Sequence, residues 1–386
     1  MAPSPAVPLQ LSAKLRVAGY TPETLQRCLG IAMPDDIGLL NHAPALERLG
    51  RDNSAAATMM RLFFLEVAEP QARVARVFGR RGCAGLVALG VLRRQGRTLQ
   101  ARVRIDAVGG QYVVADRRFR AADRAALRLP KGDAVYPPSS DSLMLRDAVI
   151  APDARHVLDL CTGSGIQALQ LAGAVERLVA VDINPRAAAV ARFNARLNGV
   201  ENLAVRVGDL YAPVRGEHFD VIIANPPFVT SPYANAPSYH SGGPRGDRVL
   251  RRIIAGLPGH LGDGGRAFAI THLAVRPGED VRSVAGEWFR DFPGRALVLV
   301  VETGTPVDLA AAQALFALDR GLKAYAAEVR RWVEYLHRHR IERVSALLIV
   351  AERGDRRAVD VVDAQPRVLP LPLAPQPVER IKSWFG

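Results

Sequence analysis

From about residue 150 onward, short apolar runs rich in Val, Ile, Leu and Ala alternate with longer amphipathic stretches. Runs near 156–161, 177–182, 203–208, 219–224, 266–271, 295–301 and 345–352 predict strands buried on both faces, as in a parallel sheet covered by helices. The intervals 164–174, 184–198, 244–257 and a long one around 321–340 predict helices. This alternation gives a doubly wound, Rossmann-like α/β domain of seven strands. The texture upstream is different. Residues 1–10 are Pro-rich and expected to fray. Thr21 and Pro22 read as a helix cap and first helical position, and Ser54 opens a helical stretch to about Val67. "EPQARVARVFG" and "CAGLVALGVLRR" predict two short helices across a Gly-containing turn. "LQARVRIDAV" and "GQYVVADRRF" alternate apolar and polar residues around Gly109-Gly110, a hairpin signature. The pattern divides the chain into a helical, winged-helix-like N-terminal domain (1–130), the α/β domain (131–360) and a Pro-rich C-terminal tail (361–386) ending in the amphipathic "VERIKSWFG". The first serves substrate recognition, pocket closure or dimerisation.

Composition narrows the class. A chain of 386 residues with 49% hydrophobic and 23% charged positions is globular and long enough for two cores. It has no apolar run of membrane-spanning length, and "MAPSPAVPLQ" lacks the basic start and apolar core of a secretion signal, so the expectation is a soluble cytoplasmic protein without membrane partners. Cys28, Cys83 and Cys161 are scattered, which suggests neither a disulfide framework nor a metal site. The net charge is +13, yet only four of the 51 basic residues are lysine, a skew that makes global basicity a poor pointer to nucleic acid. Local clustering is the better signal. Residues 71–105 carry nine arginines and no Asp or Glu, which suits either a polyanion or a surface whose acidic partners come from elsewhere in the fold.

"HVLDLCTGSGIQALQLA" reads strand, Gly-rich turn, helix. Gly163 and Gly165 allow a tight turn, and the helix after them presents free N–H groups to a ligand. Gly163 to Ala168 also fits the G-x-G-x-x-A dinucleotide fingerprint, so NAD and other nucleotide cofactors both stand at this point. Asp182 ends the next strand, placed for ribose hydroxyls. Asp209, just past the third, can accept from an adenine amine, and Asn225-Pro226-Pro227-Phe228 follows the fourth.

With these features in order, the sequence resembles the class I S-adenosylmethionine-dependent methyltransferases with an [N/D]-P-P-[F/Y/W] motif. "LDLCTGSG", "VDINPRAAAVARFNARLNG", "GDLYAPVRGEHFDVIIANPPFV" and "HSGGPRGDRVLRRII" look most like the protein-glutamine N-methyltransferases; nucleic-acid amino methyltransferases share much of the pattern. The resemblance spans roughly 135–275. It implies S-adenosylmethionine as cofactor, bound by Asp159, Cys161, Gly163, Gly165, Asp182, Ile183, Asp209, Leu210 and Asn225. Cys161 departs from a common glycine of the turn. Asn225, Pro226, Pro227 and Phe228 are the implied catalytic segment, with Tyr233, Tyr239 and His240 as candidate substrate contacts and no metal. "YPPSSDSLML" (136–145) resembles the stretch before the cofactor turn, where Ser139, Ser140 and Asp141 cap a helix over the site.

The residues support that role independently. An amide or exocyclic amino nitrogen is a poor nucleophile, so methyl transfer depends on that nitrogen being held in line with the donor's S–CH3 bond. The Asn225 side-chain oxygen and the Pro226 carbonyl are two acceptors on a stiff backbone that can take both protons of an –NH2 group, while Phe228 can stack on its plane. The expected activity is N-methylation of an sp2 nitrogen on a macromolecule (protein glutamine, rRNA or tRNA base). The expected partners are RNA, the ribosome or a translation protein, with homodimerisation as a second use of the N-terminal domain. A small-molecule N- or O-methyltransferase of secondary metabolism is the alternative. A non-catalytic winged-helix regulator would leave the NPPF segment without a purpose.

Overall fold

In the computed structural model, which describes residues 6–31, 33–38, 41–118, 133–233, 242–364 and 375–385, helix begins where fraying was expected. α1 (Ala6–Val17) tolerates Pro8 in its first turn, where the missing N–H has no intrahelical acceptor, and buries Leu11 and Leu15 along one stripe. α2 (Pro22–Leu29) starts on the Thr21 cap, whose Oγ1 accepts from Thr24 N at 3.3 Å. α3 (His42–Leu49) and α4 (Ala55–Met59) follow, and α4 runs on as a π turn through Phe64. After β1 (Glu69–Pro70), the two predicted short helices are one element, α5 (Gln71–Ala88), broken at Gly79 (φ 72°, ψ 162°). "GVLRR" is not the end of a helix. It forms β2 (Leu92–Gln95), because the turn at Gly96-Arg97 pairs it with β3 (Thr98–Ala101), and that pairing buries Leu92 and Leu99. β4 (Val103–Val108) and β5 (Gln111–Asp116) are the predicted hairpin over Gly109-Gly110.

The α/β layer is one eight-stranded sheet. Its strands are β6 (His156–Leu160), β7 (Arg177–Asp182), β8 (Leu203–Val207), β9 (Phe219–Ala224), β10 (Leu261–Val275), β11 (Gly294–Gly304), β12 (Arg343–Arg353) and β13 (Ala358–Asp363). The order across the sheet is β13-β11-β12-β10-β9-β6-β7-β8, with only β12 antiparallel to its neighbours. β13 adds an eighth strand to the seven read from the sequence. Its "AVDVVD" alternates apolar and acidic residues at a half-exposed edge, so it lacks the continuous apolar run of the inner strands. Around the sheet lie α6 (Ser140–Ala148), α7 (Ile166–Leu171), α8 (Pro185–Asn198), α9 (Arg248–Gly256), α10 (Val281–Trp288), α11 (Pro306–Ala314), α12 (Leu322–Arg338) and α13 (Pro375–Phe385). The expected tail therefore starts inside a strand and closes as a helix, with Ile381 buried and Arg266 lying 3.7 Å over the Phe385 ring.

Two asparagines one turn apart on α8 hold the N-terminal hairpin against the sheet domain. Asn194 is fully buried. Its Oδ1 accepts from Val114 N at 2.9 Å, and its Nδ2 donates to Val114 O and Ser164 O, both at 2.9 Å. Asn198 does the same for Tyr112, at 2.8 Å in each direction. The pair imitates a strand edge, so the backbone of β5 meets a helix with its polar groups satisfied. Asp35 adds a third tie: its Oδ2 accepts from Ser140 N (3.0 Å) and Oγ (2.9 Å) at the start of α6.

Candidate functional site

Chain topology places the site. β6 and β9 are neighbours, and the connections that follow them run in opposite directions, to β7 and to β10, which opens the crevice where open α/β sheets hold ligands. Leu160 and Ala224 are register partners on adjacent parallel strands, so the Gly-rich turn and the NPPF segment leave the sheet side by side.

On the turn side, Asp159 is buried at the end of β6. Its Oδ2 accepts from Thr162 Oγ1 at 2.5 Å and Ala168 N at 3.2 Å, while Oδ1 has no partner among the described residues. Burial pushes its pKa up to about 7. Cys161 takes a left-handed φ of 58°, and burial together with Asp182 and Asp159 pushes its thiol far up, so it is an inert wall residue. Gly165 (φ 84°) opens α7, and a Cβ there would lie 3.1 Å from Ala191 Cβ; the missing side chain lets α7 approach α8. Asp182, at the end of β7, accepts from Gly163 N through Oδ2 and from Asn184 N through Oδ1, each at 2.8 Å. Each carboxylate oxygen keeps a lone-pair direction for a further donor. Beside it the Ile183 side chain is 60% exposed. Gly208 N donates to Asp182 O at 3.0 Å and ties the ends of β7 and β8 together, with Leu210 buried at φ 48°. Asp209 is partly engaged, since Arg252 Nη2 on α9 donates to its Oδ2 at 2.7 Å.

On the NPPF side, Asn225 Nδ2 approaches Asp141 Oδ2 at 3.5 Å. A carboxylate only accepts, so this contact turns the Asn225 amino group toward Asp141 and leaves Asn225 Oδ1 free as an acceptor. Asp141 is itself held by the Ser139 hydroxyl. Pro226 is buried; Pro227 and Phe228 are half-buried. The Phe228 ring lies tilted by 34° against His272 of β10, with centroids 4.4 Å apart. Burial lowers the His272 pKa against the opposing pull of Asp141, so the ring is a neutral backing. Behind the loop, Gly242 N donates to Val229 O at 3.0 Å and Thr230 Oγ1 to Pro244 O at 3.1 Å. Tyr233 turns its hydroxyl to Glu328 on α12, which also accepts from Trp332 Nε1 at 3.1 Å. Tyr239 and His240 lie outside the described residues.

The structure thus gathers Asp159, Cys161, Gly163, Gly165, Asp182, Ile183, Asp209, Leu210 and residues 225–228 along one edge of the sheet. It adds three that sequence reasoning did not assign to the site. His272 was one histidine in an apolar strand, with no local signal. Asp141 had been read as a capping residue, and Arg252 as part of an amphipathic helix. Only the fold brings them to Phe228, Asn225 and Asp209.

Comparison with known proteins gives two family matches: a methyltransferase small domain over residues 140–276, and a domain family of unknown function over residues 17–103. A candidate protein N5-glutamine methyltransferase of Methanocaldococcus jannaschii is 37% identical over 137 residues, which cover 34% of this chain and 68% of that protein. A release factor glutamine methyltransferase of Xylella fastidiosa is 39% identical over 29% of this chain and 44% of its own length. A ribosomal protein uL3 glutamine methyltransferase of Bordetella pertussis is 34% identical over 36% of this chain and 53% of its own. The chain spans about half the length of the latter two.

Proposed function

We propose that this chain, which belongs to the class I S-adenosylmethionine-dependent methyltransferases in their glutamine-methylating branch, N-methylates the side-chain amide of a glutamine in a protein of the translation apparatus. The observation that carries the reading is the register of β6 and β9. With Leu160 and Ala224 as partners, the chain leaves the sheet toward the glycine turn and toward Asn225 from neighbouring strand ends, which supports their sharing one crevice.

The residues present fit the donor. A Cβ at Gly163 would meet nothing within 4 Å, so the turn faces open space beside Asp182 and the exposed Ile183. Asp182 would take the ribose hydroxyls on its remaining lone pairs, and Ile183 and Leu210 would flank the base. Asp209 would accept from the base amine through the oxygen Arg252 leaves free. The unpartnered Oδ1 of Asp159 marks an unmet hydrogen-bonding demand at the other end of the turn. When bound, S-adenosylmethionine supplies an electrophilic methyl group on a sulfonium.

The protein's own contribution is to position the acceptor. A glutamine amide nitrogen has its lone pair spread into the carbonyl and attacks poorly. Asn225 Oδ1 and the Pro226 carbonyl accept its two N–H protons, which fixes the nitrogen and stabilises positive charge as the N–C bond forms. Phe228, backed by His272, gives the amide plane a surface to stack on. The surplus proton leaves the methylated nitrogen for water, so no general base is required. Asp141 keeps the Asn225 oxygen aimed inward.

Asn225→Ala tests this. Transfer of tritiated methyl into the protein fraction of a lysate should fall by roughly 100- to 1,000-fold, because one electrostatic acceptor is lost. Calorimetric affinity for S-adenosylmethionine should change little. Mass spectrometry should find the label on glutamine. Label in RNA or in small molecules would reject the acceptor assignment. Unimpaired transfer by the variant would reject the role of Asn225.

A further inference from the structure

We infer that the N-terminal module carries an RNA-docking face, formed by the outward side of α5 and the β2–β3 hairpin. The inference does not depend on the acceptor chemistry above. Its basis is a contrast among the arginines of one module. Four that are buried or half-buried meet a carboxylate. Arg61 and Arg73 pair with Glu69 at 2.6 and 2.8 Å, Arg104 with Asp106 at 2.8 Å, and Arg117 with Glu66 at 3.2 Å. The outward ones do not. Arg76, Arg80, Arg81, Arg93, Arg94, Arg97 and Arg102 are all exposed, and none has an ion-pair partner among the described residues. The module supplies acids where arginine serves packing and withholds them on this face.

The seven share one neighbourhood. Gln71 N donates to Arg97 O at 2.9 Å, which fixes the hairpin turn at the start of α5. β2, which carries Arg93 and Arg94, packs against α5, which carries Arg76, Arg80 and Arg81. Arg102 N donates to Val91 O at 2.8 Å, closing the base of the hairpin. β2 is an edge strand with Arg93 and Arg94 exposed along it. The break at Gly79 (φ 72°, ψ 162°) falls immediately before Arg80-Arg81, which are both exposed.

Seven like charges without an acid repel one another and weaken the module. A phosphate backbone removes that cost, and guanidinium binds phosphate oxygens through paired hydrogen bonds. The spread of the arginines over a helix and a hairpin suits a repeating polyanion and not a single phosphate. The competing purpose of edge arginines is to block strand-to-strand aggregation, which needs β2 alone and leaves α5 unexplained.

The test is fluorescence anisotropy of the full chain with a labelled single-stranded RNA of about 20 nucleotides, at salt from about 50 to 200 mM. With most of the seven engaged, log affinity against log salt should slope by roughly −4 to −5, a loss of several hundredfold or more across that range. Replacing Arg76, Arg80 and Arg81 together by Gln should flatten the slope by about 2, and replacing them by Lys should restore most of it. Circular dichroism confirms that the variants fold. Asn225→Ala should bind RNA as the parent does while losing methyl transfer, so failure of docking and failure of the acceptor assignment are separable. The inference is overturned if RNA does not bind at the lowest salt, or if the replacements leave the slope unchanged. It is equally overturned if polyglutamate or anionic phosphatidylserine vesicles bind this face as tightly as RNA.

Discussion

Gly246 bears directly on whether the NPPF segment works through rigidity. It has φ 82°, and a Cβ built on it would lie 2.4 Å from Phe228 O and 2.5 Å from His272 O. Real Cβ atoms essentially never come within 3.0 Å of such atoms, so in Gly246→Ala each carbonyl must retreat by about half an ångström or more. His272 is held in β10 by pairing with Ala346 of β12, so the sheet does not yield. The loop carrying Phe228 does. A displacement of this size at a positioning group should lower methyl transfer on the order of 10- to 100-fold, since about 1 Å of misplacement costs roughly 100-fold. The left-handed conformation adds a stability loss of about 1–2 kcal/mol, which does not unfold a domain of this size. The assay is single-turnover transfer from tritiated S-adenosylmethionine, with donor affinity measured in parallel by calorimetry. The reasoning requires a slower transfer at unchanged donor affinity. A folded variant that transfers at the parent's rate would refute it, as would a loss explained wholly by weaker donor binding.

Two further outcomes follow from the buried polar groups. Asn194→Ala leaves Val114 N–H, Val114 C=O and Ser164 C=O unpaired in the interior, and should cost roughly 3 kcal/mol or more in urea unfolding. Asn194→Asp, which keeps an acceptor but loses both donors and adds a buried charge, should be worse than Ala. Asp159 has a folded-state pKa of about 7 against an ordinary 3.8, so the folded state holds a proton that the unfolded chain releases. Its contribution is complete below about pH 4 and is lost as pH rises toward 7, at roughly 1.4 kcal/mol per unit. Asp159→Asn should therefore gain stability relative to the parent across that window, measured by chemical denaturation in the absence of the donor; a difference that does not vary with pH would contradict the burial argument.

Local pattern was enough for the elements that answer to local physics. Continuous apolar runs are sufficient to mark β6, β7 and β9, since a strand covered on both faces admits no polar alternation. The Thr21 cap and the Gly109-Gly110 turn are written in residues whose backbone preferences act over a few positions. So is the order of glycine turn, Asp182, Asp209 and NPPF, because each sits at the end of its own strand. Elements set by distant partners were not legible. β13 alternates like a loop-edge sequence and becomes a strand only against β11. "GVLRR" has helical composition and is a strand because β3 buries it. Ile381 is at the end of a Pro-rich tail and is core because β11 and α6 are there to receive it. The candidate site divides along the same line. Asn225 and Phe228 could be named from their motif. That Asp141 orients the one and His272 backs the other depends on contacts across more than forty positions of chain, which are made only by packing. Sequence determined the chemistry carried at each strand end; tertiary structure alone decided which of those ends, and which unmarked side chains, share one crevice, because sheet order and helix docking depend on all the contacts at once.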